Sequence, residues 1–143
     1  MILILAFILT AIFIFLSLLH VYWALGGNWA IDKTIPERYL DSFLPNKNNA
    51  KFIMATFAVS AALLLLAIMV IGYVGKVNLA VSPQVLKIGL IIASVIFLIR
   101  AIGNFNDIGL FKKDSSGEFG YWDTKLYSPL CLFFSVSIAL ILF

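Results

Sequence analysis

Long apolar stretches alternate with polar connections along this chain, and the alternation predicts four membrane-spanning helices. The apolar runs cover about residues 2–24, 52–74, 83–103 and 127–143. A helix needs roughly 20 apolar residues to cross a bilayer core about 30 Å thick, and the first three runs meet that length. The fourth run, counted from Pro129, has only about 15 residues. It must therefore begin earlier, thin the bilayer or end inside it.

The polar connections contain local signals for further helix starts. In the first long loop, the run from Thr34 to Glu37 combines a capping residue, a first-turn proline and an acid at the capping-box position. Apolar residues then recur at four-residue spacing from Ile35 to Phe43. This pattern predicts a short amphipathic helix lying in the membrane interface. Ser82-Pro83 and Tyr127-Ser128-Pro129 are comparable starts for the third and fourth spans.

Composition places the chain in lipid rather than in water. Of its 143 residues, 63% are hydrophobic and 12% are charged. A soluble domain has roughly 45–50% apolar and about 25% charged residues, so this chain could not show water a polar surface. The sequence thus predicts an all-α, polytopic four-helix bundle that forms a single transmembrane domain over residues 1–143. The lone cysteine, Cys131, can form no intrachain disulfide and is expected to be a buried or lipid-facing thiol.

The basic residues predict how the chain is oriented. Four spans put both long loops on one side of the membrane, and eight of the ten Lys and Arg residues lie in or beside those loops: Lys33, Arg38, Lys47, Lys51, Arg100, Lys112, Lys113 and Lys125. The positive-inside rule then favours cytoplasmic long loops in a multi-pass protein of the cell membrane. The net charge is +3, but the basic residues do not alternate with aromatic residues as they would on a nucleic-acid-binding surface. Lipid is therefore the expected partner, and nucleic acid is not.

The end of the first span is the first candidate site. His20, the only histidine, is followed by Tyr22 and Trp23. An interfacial aromatic belt with a hydrogen-bonded histidine explains this run in structural terms. The functional alternative is a ligand-binding or proton-handling histidine in a polar pocket, because ionisable groups within spans are costly and often functional.

The end of the third span is the second candidate site. Arg100, Asn104 and Asp107 would share one helix face if that helix continued about two turns past the membrane. Arg100 is then either an anchor that snorkels to the headgroups or a buried guanidinium that pairs with an acid or holds an anionic headgroup.

A third candidate site precedes the last span, at Trp122 and Asp123. Belt and capping roles explain both residues, but Asp123 is also a candidate partner for Arg100 or His20 if the helix ends converge. Four spans bring all three groups to the same membrane surface. The sequence therefore predicts a polar and aromatic pocket between the helix ends, covered by the two long loops.

Motifs for other chemistry are missing from the sequence. It contains no phosphate-binding glycine-rich loop and no pair of metal-ligating histidines, so we expect no metal site, and the identity of any cofactor is unknown. The second run offers too few polar groups for an ion path through one protomer, so a transporter would need several. Homo-oligomerisation is left open.

Three short motifs resemble those of a family of small bacterial four-helix membrane proteins known only as a domain of unknown function. The motifs are His20-x-Tyr22-Trp23-x-x-Gly26-Gly27, Arg100-x-x-Gly103 with Asp107-x-Gly109, and Trp122-Asp123 with Tyr127-Ser128-Pro129-Leu130. The resemblance covers nearly the whole chain. It implies four helices and a bacterial inner-membrane setting, and it implies no activity.

These observations support one main functional hypothesis and two alternatives. The first is a binding protein that takes a lipid, an isoprenoid-like molecule or another amphipathic ligand, with Arg100 and either His20 or Asp123 at its polar head. The second is a membrane enzyme acting on such a molecule, with His20 or an acid as general acid or base. The third is a transporter or channel subunit.

Overall fold

The chain folds as four long helical runs in the computed structural model, which describes residues 1–36, 50–113, 115 and 117–143. Each run is long and apolar enough to cross a membrane, and the described residues contain no strand. The prediction of an all-α chain with four such helices is therefore confirmed. The first three runs are α1 (Ile2–Ala24), α2 (Ala50–Tyr73) and α3 (Pro83–Ile102). The fourth is α4 (Gly117–Trp122), a π-helical turn (Asp123–Tyr127) and α5 (Ser128–Leu142).

Helix α3 begins at the cap that the sequence predicts. The Ser82 hydroxyl accepts a hydrogen bond from the Val85 N–H at 3.4 Å, and Pro83 occupies the first turn. Proline suits that position because the N–H it lacks would have no helical partner there. At the other end, Gly103 has a φ of 89° and ends the helix. That left-handed conformation favours glycine.

The fourth run starts earlier than the proline signal indicates. Its helix begins at Gly117, before the start near Tyr127 expected from the apolar run and in line with the alternative that the run begins earlier, and it continues through Pro129. Proline removes one backbone donor, and its ring crowds the carbonyl four residues earlier, at Lys125. The helix widens into a π-helical turn over these residues and so accommodates the proline without ending.

The four runs pack most extensively as two antiparallel pairs, α1 with α2 and α3 with α5. A pair of serines joins the helices of each pair. Ser17 and Ser60 each donate to the other's backbone carbonyl, at 2.9 and 3.0 Å. In the second pair, Ser94 donates to the carbonyl of Ser135 at 3.0 Å. Small hydroxyl residues let helices approach closely and link them where no water competes.

The two pairs meet in an apolar core. Phe13 of α1 stacks on Phe97 of α3 at 5.9 Å between ring centroids, and Phe134 of α5 lies 4.8 Å from Phe13. Leu90 and Ile138 are fully buried in the same cluster. Many large apolar side chains instead point outward, which suits a surface covered by lipid.

The short helix predicted in the first long loop lies largely outside the described residues. The loop's described part forms a 3-10 helix, Ile31–Lys33. Thr34 closes that helix: its hydroxyl donates to the Ile31 carbonyl at 2.8 Å.

Candidate functional site

The two long loops meet at one end of the molecule. The Tyr127 hydroxyl donates to the Lys33 carbonyl at 3.2 Å. The Lys33 ammonium lies 3.8 Å from the Glu118 carboxylate and 5.8 Å from the centre of the Trp122 ring. Contacts therefore join the first loop to the start of the fourth helical run, at the end where α1 and α3 also finish.

A buried ionic cluster lies at this end, centred on Asp123. Its carboxylate is fully buried and accepts from Arg100 Nη2 at 2.8 Å, from Lys112 Nζ at 2.9 Å and from the Gly109 N–H at 2.8 Å. Lys112 Nζ also donates to the Thr124 hydroxyl at 2.7 Å. We call Arg100, Lys112 and Asp123 the ionic cluster.

Backbone geometry makes this cluster possible. Asp123 opens the π-helical turn, so the widened helix sets its position relative to α3. Gly103 and Gly109 pack against each other, and a Cβ on either would collide with backbone atoms of the other's segment. Their close approach folds the loop back on the end of α3 and presents the Gly109 N–H to Asp123.

The cluster has an excess of positive charge and of hydrogen-bond donors. Among the described residues, Asp123 is the only carboxylate that pairs with Arg100 or Lys112. Arg100 Nη1 is buried without a hydrogen-bond partner, and so is the hydroxyl of Ser128, one π-helical turn after Asp123. Buried polar atoms normally have partners.

Asn104 and Asp107 are not on the helix face that the sequence suggested. Because α3 ends at Ile102, both lie in the folded loop. The Asn104 side-chain oxygen accepts from the backbone N–H groups of residues 106, 107 and 108, and its amide donates to Asp107 at 3.2 Å. Asparagine commonly forms such local bonds in turns. This pair holds the loop in shape.

His20 lies at a different place, in a cavity of about 290 Å³ that is widely open to the surface, between α1 and α2. Trp23, the 3-10 segment, Phe52 and Thr56 also line this space, which we call the α1–α2 cavity. Arg100 and Asp123 do not line it. The predicted single pocket is thus divided: His20 and Trp23 share the cavity, whereas Arg100 pairs with Asp123 elsewhere.

The polar groups around the α1–α2 cavity are engaged, with one exception. Trp23 Nε1 donates to the Trp29 carbonyl at 2.8 Å, and the Thr56 hydroxyl donates to the Phe52 carbonyl at 2.7 Å. His20 Nδ1 lies 2.8 Å from the Leu16 carbonyl. A carbonyl only accepts, so Nδ1 carries a proton and Nε2 of the neutral ring is an acceptor. Within the described chain, Nε2 has no partner.

One protein family matches most of this chain. The family described as "Protein of unknown function (DUF3995)" matches residues 13–138. The chain belongs to this family. No curated protein and no solved structure is significantly similar to it. The suspected membership of a family with only an unknown-function label is confirmed, and the DUF3995 match covers both the α1–α2 cavity and the ionic cluster.

Two other residues that the sequence suggested, Tyr22 and Trp122, lie outside both the α1–α2 cavity and the ionic cluster. Tyr22 packs its ring against Gly27 and is about half exposed. Trp122 donates through its indole N–H to Glu118 at 3.3 Å on the surface. Sequence reasoning missed Lys112, because a lysine in a charged loop gives no sign that its side chain will be buried.

Within the described residues, side chains that could hold a metal ion do not gather in one place. Across residues 1–36 and the described parts of 50–143, no three His, Cys, Asp or Glu side chains come close enough together to bind one. Two places in the described part of the chain are candidates for binding or chemistry: the α1–α2 cavity, an apolar space with one basic nitrogen, and the ionic cluster, which carries excess positive charge.

Proposed function

We propose that this small multi-pass membrane protein binds an amphipathic molecule in the α1–α2 cavity. The observation that carries the proposal is an apolar space whose polar lining is engaged except for His20 Nε2. The apolar part of the ligand would pack on Trp23 and Phe52. Its polar end would donate a hydrogen bond to Nε2, which makes a hydroxyl group the best match.

The size of the cavity limits the ligand. Small-molecule pockets usually measure about 300–1,000 Å³, and a cavity of about 290 Å³ is at the small end. It suits a single apolar chain with a compact head rather than a whole two-chain phospholipid. A long-chain or isoprenoid-like alcohol has this shape and the required donor.

Tryptophan fluorescence can test the proposal, because Trp23 lines the cavity. We would titrate the protein in dodecyl maltoside micelles with a brominated long-chain alcohol, whose bromine quenches nearby indoles. Wild type should show saturable quenching that is lost in Trp23→Phe. His20→Phe keeps an aromatic ring but removes the acceptor, and it should weaken binding about tenfold, as expected for one lost hydrogen bond.

Two matched variants separate a specific cavity from general partitioning into the micelle. Ala55 lines the cavity, so Ala55→Leu should occupy it and abolish saturable quenching. Ala62 is exposed on the same helix, so Ala62→Leu should leave quenching unchanged. If both leucine variants and His20→Phe bind the alcohol like wild type, the proposal is wrong.

An enzyme acting on the same kind of molecule is the second candidate. The bond from Nδ1 to the Leu16 carbonyl fixes the ring and leaves Nε2 as a base, which general acid–base catalysis requires. Incubation of a lipid extract with the protein, followed by mass spectrometry, separates the two. Turnover that His20→Gln abolishes while alcohol binding persists would favour the enzyme, whereas binding without turnover would favour the first proposal.

We also propose that the protein resides in a bacterial inner membrane with both long loops in the cytoplasm. The grouping of basic residues at the end where the loops meet supports this orientation. Green fluorescent protein and alkaline phosphatase fused after Lys33 and after Lys113 should report cytoplasmic positions for both. Reporters in opposite compartments would contradict the shared side, and two external positions would reverse the orientation.

A further inference from the structure

The ionic cluster has one more positive than negative charge. Lys112 has only 2% of its side chain exposed and Asp123 has none, while Arg100 keeps 32% exposed. Burying an uncompensated charge is costly, and buried charges are normally paired or neutralised by a ligand. Among the described acids, Glu118 does not neutralise this charge, because it is bonded to Trp122 and lies beside Lys33.

Arg100 also has unused donors. Of the five N–H groups on its guanidinium, only one on Nη2 is directed at Asp123, and Nη1 is buried without an acceptor. About a third of the Arg100 side chain is exposed, so an outside group can approach it, although Nη1 itself is buried. An anionic oxygen bound beside the exposed part would supply the missing negative charge, and a turn of the side chain toward it would give Nη1 the missing acceptor.

The cluster's position in the fold indicates which anion could reach it. It lies where α3 ends and the fourth run begins, at the end of the molecule that the two polar loops share. A helix end of a membrane protein lies at the depth of the lipid headgroups, where phosphate is the abundant anion. Guanidinium groups match phosphate geometry well.

We propose that the ionic cluster is a binding subsite for a phosphate group, separate from the α1–α2 cavity. Arg100 binds the phosphate oxygens, Lys112 adds positive charge, and Asp123 holds both cations in place. Either the headgroup of a phospholipid or free phosphate has this chemistry. The subsite requires no ligand in the α1–α2 cavity, so either proposal can fail without the other.

Binding of phosphatidic acid tests the subsite, with diacylglycerol as the matched lipid that lacks phosphate. Both would be titrated in dodecyl maltoside micelles and the complexes counted by native mass spectrometry, with inorganic phosphate as a separate titrant. Wild type should prefer phosphatidic acid to diacylglycerol by about tenfold or more. Arg100→Gln should abolish this preference. Lys113→Gln removes a positive charge from an exposed position of the same loop and should preserve it.

The outcomes distinguish the two sources of phosphate. Competition by millimolar inorganic phosphate would indicate a site for free phosphate, and its absence would indicate a lipid site. If Arg100→Gln does not fold, Arg100→Lys replaces it: this variant keeps the charge, loses the planar fork, and should weaken binding severalfold. The proposal is overturned if wild type shows no preference for phosphatidic acid, or if the Arg100 variant that folds keeps the wild-type preference.

Discussion

Replacing Asp123 by asparagine tests the energetic role of the ionic cluster with almost no change in shape. The carboxylate accepts from Arg100, Lys112 and the Gly109 N–H. Asparagine keeps one oxygen and puts an NH₂ group where the other was. The new NH₂ group then points at another hydrogen-bond donor. The buried Lys112 and the partly exposed Arg100 lose their only counter-charge among the described residues.

The expected loss of unfolding free energy is about 3–5 kcal/mol, the usual cost of removing one partner from a buried ion pair. A second route gives a lower bound, because hydrogen bonds to charged groups contribute about 1.5–3 kcal/mol each and at least one cation loses its bond. The low exposure of Lys112 and Asp123 justifies using values for buried rather than surface pairs.

Reversible unfolding of the purified protein in mixed micelles, by rising fractions of sodium dodecyl sulfate, measures this loss through circular dichroism. Glu118→Gln is the matched control, since it also turns a carboxylate into an amide in the fourth run. The Glu118 side chain is 66% exposed and 3.8 Å from Lys33. That change should cost less than about 1 kcal/mol.

Adding Lys112→Met to Asp123→Asn should recover part of the lost unfolding free energy, because it removes one of the cations left without a counter-charge. The reasoning is refuted if Asp123→Asn costs no more than Glu118→Gln. It is also refuted if Lys112→Met lowers the unfolding free energy as much in the Asp123→Asn background as it does in wild type.

Three further predictions use the same unfolding assay. Gly109→Ala should cost at least about 1 kcal/mol more than Gly75→Ala, since both have positive φ but only at Gly109 would a Cβ meet backbone, and equal costs would contradict this. Ser17→Ala and Ser60→Ala should be coupled by about 0.5–1.7 kcal/mol in a double-mutant cycle, and strict additivity would count against the reciprocal bonds. Trp23→Phe should cost about 1 kcal/mol through its lost indole hydrogen bond, and no change in stability would argue against that bond.

Hydrophobic patterning is sufficient to predict the helical architecture, because each span must satisfy its backbone polar groups internally whatever its neighbours are. The cap at Ser82 is equally local and is confirmed. Patterning misplaces the fourth run's start, since a proline can either begin a helix or be accommodated within one. Asp123, the first residue of the π-helical turn, accepts a hydrogen bond from the Gly109 N–H of the loop, and patterning does not reveal such a contact.

The candidate sites were only partly predictable. Charge pairing suggests Asp123 as a partner of Arg100, and in the structure Arg100 Nη2 lies 2.8 Å from the Asp123 carboxylate. Lys112 is buried because the loop folds back where Gly103 and Gly109 approach each other. That is a tertiary contact, and no periodic pattern in the sequence indicates it. The separation of His20 from this cluster likewise follows from which helices pair, and hydropathy does not specify pairing. The ligand-binding roles assigned to these residues stay predictions.

The serine pairs have a mechanical consequence. Hydroxyl bonds fasten α1 to α2 and α3 to α5, whereas the two pairs meet in the described core through aromatic and aliphatic groups such as Phe13 and Phe97. Sliding or tilting one pair against the other breaks none of these hydroxyl bonds, while separating the helices within a pair does. The Tyr127–Lys33 contact links the pairs at the loop end. The short connection from α2 to α3 joins the pairs at the opposite end as well, so the molecule consists of two hydrogen-bonded helix pairs tied at both ends, with an apolar contact between them.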